Sequence, residues 1–268
     1  MLFYPLLFKP IFKERIWGGI KLKEVLNKSF DGSQIGESWE LSTVENDISV
    51  VANGAFEGLN LNQLIEKYPT EVLGIKSIQN FGNNFPLLFK FIDAKEDLSI
   101  QVHPNDTLAK ERHNSFGKTE MWHVIQADDN ARLVVGFKDK TNKKEYQEHL
   151  ENKTLVAVLN ETPVKVGDAF FLETGTVHAI GAGVLIAEIQ QTSDVTYRIY
   201  DWDRVDAEGN SRELHTDLAL DAITFEPTDS KISYDTKVNE ITPVVSCPFF
   251  VAQQLVLEGN FYWKQSKD

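Results

Sequence analysis

The 268-residue sequence predicts a mainly β protein, a sandwich or closed jelly-roll barrel with a few short helices. Three observations predict it. Short runs rich in β-branched and aromatic residues recur along the chain, turn residues such as Gly167-Asp168, Gly181-Ala182-Gly183 and Glu208-Gly209-Asn210 separate them, and helical spacing is confined to brief stretches.

In chain order, residues 1–8 (MLFYPLLF) are apolar but lack a basic leader and are broken by Pro5, so a strand is expected there rather than a targeting segment. Residues 60–68 form a short polar-faced helix candidate. Leu87-Leu88-Phe89-Lys90-Phe91-Ile92 suits a buried strand, and Leu98-Ser99-Ile100-Gln101-Val102-His103 alternates apolar and polar until Pro104 ends it. Strands follow at Glu120–Ala127, Arg132–Phe137, Ala169–Leu172, 184–190 and 195–200, with a second helix candidate at 143–150. Leu214, Leu218 and Ala222 stand at helical spacing, so the pattern predicts a helix over 213–223 with Ser211 near its cap. The acidic, proline-containing stretch 226–235 reads as a linker.

Composition bounds the function. Forty acidic against 27 basic residues leave a net charge of −13, which disfavours general attraction to nucleic acid or anionic membrane. A phosphate site in such a chain must be built locally from a few inward cations. The single Cys247 cannot form an internal disulfide, and no apolar stretch approaches the ~20 residues that span a bilayer. A cytoplasmic protein is the expectation.

Three motifs carry chemistry. Gln101 and His103, two residues apart on a strand, project to one face, while Ile100 and Val102 face apolar packing on the other. In Gly117-Lys118-Thr119-Glu120-Met121-Trp122, the residues Lys118, Glu120 and Trp122 share a face; this reads either as an interior carboxylate beside an aromatic or as a surface ladder. His123 falls on the opposite face and reads as structural. The stretch from Gly167 to His178 matches the second cupin motif, with Glu173 where proline is usual; Gly167 permits the turn into a strand and Gly175 the bend that swings His178 inward. Gln101, His103, Glu120 and His178 together form a mixed nitrogen and oxygen donor set without thiolate, suited to one Zn²⁺ per chain and compatible with Mn²⁺, Fe²⁺ or Co²⁺.

The chain resembles the type I mannose-6-phosphate isomerases of the cupin superfamily, especially the short bacterial form. The resemblance runs through Phe12-Lys13-Glu14-Arg15-Ile16-Trp17-Gly18-Gly19, Gly36-Glu37-Ser38-Trp39, Pro86 to Ile92, Ser99 to Asp106, Gly117-Lys118-Thr119-Glu120 and Thr176-Val177-His178-Ala179. It ends in Glu188 and Tyr197-Arg198-Ile199-Tyr200-Asp201-Trp202-Asp203-Arg204, covering about four-fifths of the chain in order. It implies a cupin jelly-roll barrel, zinc on Gln101, His103, Glu120 and His178, an essential Arg198, and a substrate site lined by Ser99, Lys118 and Arg204. The implied reaction interconverts mannose 6-phosphate and fructose 6-phosphate through an enediol(ate), with Glu188 and Lys118 both candidates for the general base. Competing readings are a cupin of another sugar-phosphate chemistry and a non-catalytic sugar-binding or regulatory cupin. The resemblance also implies a division into a catalytic domain, 1–230, with short helical insertions, and the start of a second small β domain, 231–268. That second domain is expected to be shortened, its strand edges open to cover by the main domain or a partner chain.

Overall fold

The computed structural model describes residues 4–206 and 208–262. Along the chain the strands are β1 (Ile11–Gly19), β2 (Ile35–Leu41), β3 (Leu87–Ala94), β4 (Ile100–Val102), β5 (Glu120–Ala127), β6 (Arg132–Phe137) and β7 (Leu159–Pro163). They continue as β8 (Ala169–Leu172), β9 (His178–Ile180), β10 (Val184–Gln191), β11 (Tyr197–Tyr200), β12 (Lys231–Ile232), β13 (Ile241–Ser246) and β14 (Val251–Leu255). Seven form one sheet in the order β1-β2-β3-β10-β5-β8-β12, and five form a second in the order β11-β4-β9-β6-β7. The ladders within both sheets are antiparallel, as consecutive jelly-roll strands require.

The two sheets face each other across a shared core. Ile92, Trp122, Val124, Phe170, Leu172 and Ile186 of the larger sheet pack with Leu133, Val135 and Ile180 of the smaller. Trp122 is fully buried there; removing an aromatic of that size from water contributes about 2–3 kcal/mol. Of the expected sandwich or closed barrel, the chain takes the open form, a two-sheet jelly roll in which no ladder joins the sheets among the described residues. The larger sheet ends on β12, two residues long and too short to carry pairing onward.

Alternation on β4 falls as its sequence demands. Ile100 and Val102 point outward into a second cluster with Tyr146, Leu155, Tyr197 and Ala219, which lies under the helices. The helix Leu61–Lys67 begins with a reciprocal capping box between Asn60 and Gln63, and Lys143–Glu151 is capped by Asn142. Both match the expected helices. Short helices at Pro69–Leu73, Ile75–Phe81 and Asp106–His113 add to them.

Three expectations differ. The helix over 213–223 shrinks to Thr216–Ala219 without a side-chain cap, and Ser211 instead bridges Val205. Residues 212–215 are held by tertiary bonds: Arg212 lies on Asp201, and the His215 N–H donates to the Arg198 carbonyl. Within the expected linker, Lys231 and Ile232 pair with β8 and extend the larger sheet past residue 230. In the apolar start, Phe8 makes a single bridge to Val51, while residues 1–3 lie outside those described.

β13 and β14 form a two-stranded sheet of their own. It is covered by the main body: Phe250 and Ala252 pack on Met121, Ala169, Phe171 and Ile189 on the outer face of the larger sheet. The rest of the stretch expected to form these strands, residues 263–267, lies outside those described.

Candidate active site

The donor set is assembled from both sheets. Gln101 pairs across the ladder with His178 on one side and Arg198 on the other, so three inward side chains stand in a row on the smaller sheet. His103 follows β4 immediately. Glu120 opens β5 on the larger sheet, facing them, and Lys118 precedes it. The alternation that buries Ile100 and Val102 behind thus turns Ser99, Gln101 and His103 toward Glu120.

His103, Glu120 and His178 each offer one ligand atom, all within 4.8 Å of one another, and all three residues are buried. His103 Nε2 lies 3.4 Å from Glu120 Oε1, and His178 Nε2 lies 3.6 Å from Oε2. The tautomers suit a cation. His103 Nδ1 is 3.0 Å from the Val195 carbonyl and His178 Nδ1 is 2.8 Å from the Thr176 carbonyl. A carbonyl only accepts, so each Nδ1 carries the proton and each Nε2 presents a lone pair inward. Burial, then the Lys118 charge, outweighs Glu120 and pushes His103 down to about 3. Burial lowers His178 as well. Both rings are therefore neutral near pH 7, the form that binds a metal.

Glu120 carries the clearest mark of a cation site. Both its carboxylate oxygens are buried with no hydrogen-bond partner. Burial alone would raise its pKa, yet Lys118 and the two histidines hold it well below the usual carboxylate range. Lys118 Nζ approaches Oε1 at 3.1 Å and His103 Nε2 at 3.3 Å, an ion-pair contact on the same acceptors. Gln101 completes the set: its amide Nε2 stands 3.3 Å from His178 Nε2, and turned through 180° it would offer Oε1 instead. Two neutral imidazoles, a buried carboxylate that accepts no hydrogen bond and an amide oxygen fit a divalent transition metal.

Beside the donors opens a cavity of about 460 Å³ lined by Ser99, Gln101, Lys118, Glu188 and Arg198 among others. Glu188, buried on β10, accepts from Trp122 Nε1 at 2.7 Å and meets Lys90 Nζ at 2.8 Å. Burial and then Glu120 raise its carboxyl above the ordinary value in spite of Lys90. Arg198 Nη1 donates to the Glu213 carbonyl at 2.8 Å, while burial and then Arg212 lower its pKa.

Of the residues expected to line the substrate site or act on the substrate, Arg204 is the one the cavity does not include. Its Nη2 donates to Asp201 Oδ1 at 2.6 Å. Arg212 lines the cavity in its place. Sequence reasoning also passed over Lys90, Glu37, Trp39 and Arg15, all cavity-lining. Glu37 accepts from Arg15 Nε at 2.7 Å and Trp39 Nε1 at 2.6 Å, with Lys90 at 3.9 Å. Burial would raise it, but Lys90 and Arg15 hold it at about 2. Lys90 had a visible signal, a lone charge within an apolar run. His123 bonds Tyr234 at 3.2 Å on the outer face, in keeping with a structural role.

The model of the phosphomannose isomerase type I catalytic domain matches residues 6–122. The mannose-6-phosphate isomerase ManA of Bacillus subtilis (strain 168) is 39% identical over 267 residues, 98% of this chain and 82% of the relative. The chain belongs to the type I phosphomannose isomerase family. A mannose-6-phosphate isomerase of Streptococcus mutans serotype c is 36% identical over 268 residues, 98% of this chain and 82% of its own. The crystal structure of the mannose 6-phosphate isomerase from Bacillus subtilis superposes with a TM-score of 0.85 at 37% identity, covering 93% of this chain and 79% of that one. The type I phosphomannose isomerase cupin fold thus extends well past residue 122, through every donor named above.

Proposed function

We propose that this chain interconverts mannose 6-phosphate and fructose 6-phosphate through an enediol(ate), using one Zn²⁺ held by Gln101, His103, Glu120 and His178. The observation that carries the reading is Glu120: a buried carboxylate that accepts no hydrogen bond and has Lys118 beside Oε1, faced by two inward imidazole lone pairs at the edge of a cavity lined by Lys118, Glu188 and Arg198. Bound there, the metal supplies Lewis-acid polarisation of the oxygens on the reacting carbons.

The chain's own residues then divide the proton work. Glu188, its carboxyl raised by burial, takes the proton from C2 of the aldose and returns it to C1. Lys118, next to the donor set, gives a proton to O1 as the enediol forms and recovers one from O2 as the ketose forms. Arg198 sets a fixed cation beside the developing negative charge. Ser99, buried beside the same cavity, orients a sugar hydroxyl. For the chain's organisation we keep a catalytic unit ending near residue 230 and a second β unit beyond it, supported by the separate β13–β14 sheet. A cytoplasmic location is part of the reading, supported by the free Cys247.

A coupled assay for fructose 6-phosphate, run on purified protein with metal analysis, tests the proposal. Chelation should abolish isomerisation and Zn²⁺ should restore it; activity undiminished in metal-stripped protein would overturn the metal role.

A further inference from the structure

Asp201 is buried, and three guanidiniums surround it. Arg212 grips it with Nε at 2.7 Å and Nη2 at 2.5 Å, a side-on fork, and Arg204 Nη2 reaches the same carboxylate at 2.6 Å. Arg198 lies close enough for Arg212 and Arg204 to lower its pKa. Two carboxylates, Asp201 and Glu96, against three arginines leave positive charge in excess, within a chain of net charge −13. Burying such an excess is costly without an anion to share it.

Arg198 and Arg212 both line the cavity, and both keep donors that Asp201 and Glu213 do not use. Arg212 spends Nε and Nη2 on Asp201, which leaves Nη1, and it lines the cavity wall. Arg198 spends Nη1 on the Glu213 carbonyl, while its Nε is buried without a partner. Arg204, by contrast, lies outside the wall with Glu96 as its other neighbour at 3.9 Å. Arg198 pairs with Gln101 in the donor row, and Asp201 lies three residues further along the chain, roughly 10 Å in an extended strand. Trp202 Nε1 donating to the Leu98 carbonyl at 2.8 Å fixes that displacement beside Ser99. A six-carbon sugar phosphate has its phosphate at the far end of the carbon chain from C1 and C2.

Resting on the isomerase reading, we propose that Arg212 binds the substrate's phosphate dianion together with Arg198, that Asp201 positions the Arg212 guanidinium, and that Arg204 braces Asp201 from behind. The substrate-site role implied for Arg204 passes to Arg212. An arginine fork held flat by a carboxylate on one edge presents its remaining N–H groups in a fixed plane, the arrangement that suits a tetrahedral dianion.

The test uses the metal-loaded full chain and the variants Arg212→Ala, Arg212→Lys and Arg204→Ala. Two quantities are read: KM for mannose 6-phosphate, and the dissociation constant of inorganic phosphate by calorimetry. Arg212→Ala should raise both roughly 10- to 100-fold, the loss expected for a charge-assisted contact, with metal content unchanged. Arg212→Lys should recover part of the loss, and Arg204→Ala should cost less than Arg212→Ala. Unchanged KM and phosphate affinity in Arg212→Ala, or a larger effect in Arg204→Ala, would overturn the assignment. If Arg212→Ala does not fold, Arg212→Lys carries the same comparison with a smaller shift. An inactive parent protein would sink the isomerase reading alone, because phosphate binding still decides the role of Arg212.

Discussion

Glu37 and Glu188 both contact Lys90, yet their carboxyls move in opposite directions. Glu37 gains Arg15 and the Trp39 indole as well, and these overcome burial to hold it at about 2. Glu188 gains the Trp122 indole and the Lys118 charge, but burial and the negative Glu120 outweigh them and it is raised. Lys90, itself held above the ordinary lysine value between these carboxylates despite its burial, therefore keeps one ionised and leaves the other able to exchange a proton. Glu188→Gln should lower turnover by roughly 10²- to 10⁴-fold with metal content intact, in a single-turnover assay; metal loss with the activity would mean a structural residue. Glu37→Gln should cost about 1–3 kcal/mol in urea unfolding at pH 7, because it weakens the charge-assisted hydrogen bonds from Arg15 and Trp39 while Lys90 keeps Glu188. The sign with pH follows from the lowered value. The stabilisation from ionised Glu37 is complete above the unfolded value of about 4.3 and is lost as pH falls toward 2. Stability differences between parent and variant should therefore narrow between about pH 5 and pH 2. Much at this scale was legible in the sequence. Gln101 and His103 share a face as their spacing demanded, His178 swings in as its glycine motif asked, and Glu120 takes the interior one of its two readings. Arg212 was not, because nothing in Ser211-Arg212-Glu213 shows that Asp201, eleven residues earlier, captures it.

Alternation and glycine placement did most of the work among the elements. β4 follows its period-2 pattern, and Gly175 turns with φ +89° where the second motif asked for a bend. Its N–H donates to the His103 carbonyl at 3.0 Å, so one turn steadies both histidine-bearing segments. A Cβ at Gly175 would lie 2.5 Å from Thr224 Oγ1 and 2.8 Å from the Ala222 carbonyl. Gly175→Ala should destabilise the fold by about 1–3 kcal/mol in a denaturant titration and weaken metal binding in the same protein. The helical pattern over 213–223 failed for the opposite reason. Leu214, Leu218 and Ala222 keep their spacing, but the Asp201 fork and the bonds between His215 and Arg198 hold 212–215 against β11. Local propensity is a weak prior against several tertiary bonds.

For the molecule as a whole, the mainly β character was legible in the sequence, but the closure of the barrel was not. Whether sheets join depends on edge strands as short as β12, and two residues leave little pattern to read. The β13–β14 pair lies on the outer face of the larger sheet, with Phe250 only 9% exposed against Met121 and Ala169. Met121 and Glu120 are neighbours on β5 with opposite faces, so the hairpin backs the strand that carries the donor carboxylate. Phe250→Ala should cost about 3 kcal/mol of stability by urea titration while KM for mannose 6-phosphate stays unchanged. A shifted KM would mean that the hairpin shapes the cavity across the sheet.

Glu120 belongs to one sheet and Gln101, His103 and His178 to the other side of the gap, and no ladder joins the two layers among the described residues. An ion shared by these groups would rivet the sandwich shut. By mass action, a ligand that binds only the folded chain adds about 2.7 kcal/mol of stability at a hundredfold excess over its dissociation constant. Heat resistance then becomes a gauge of occupancy. Melting curves recorded with a series of divalent ions should rank their affinities without any substrate, and Glu120→Ala should flatten that ranking.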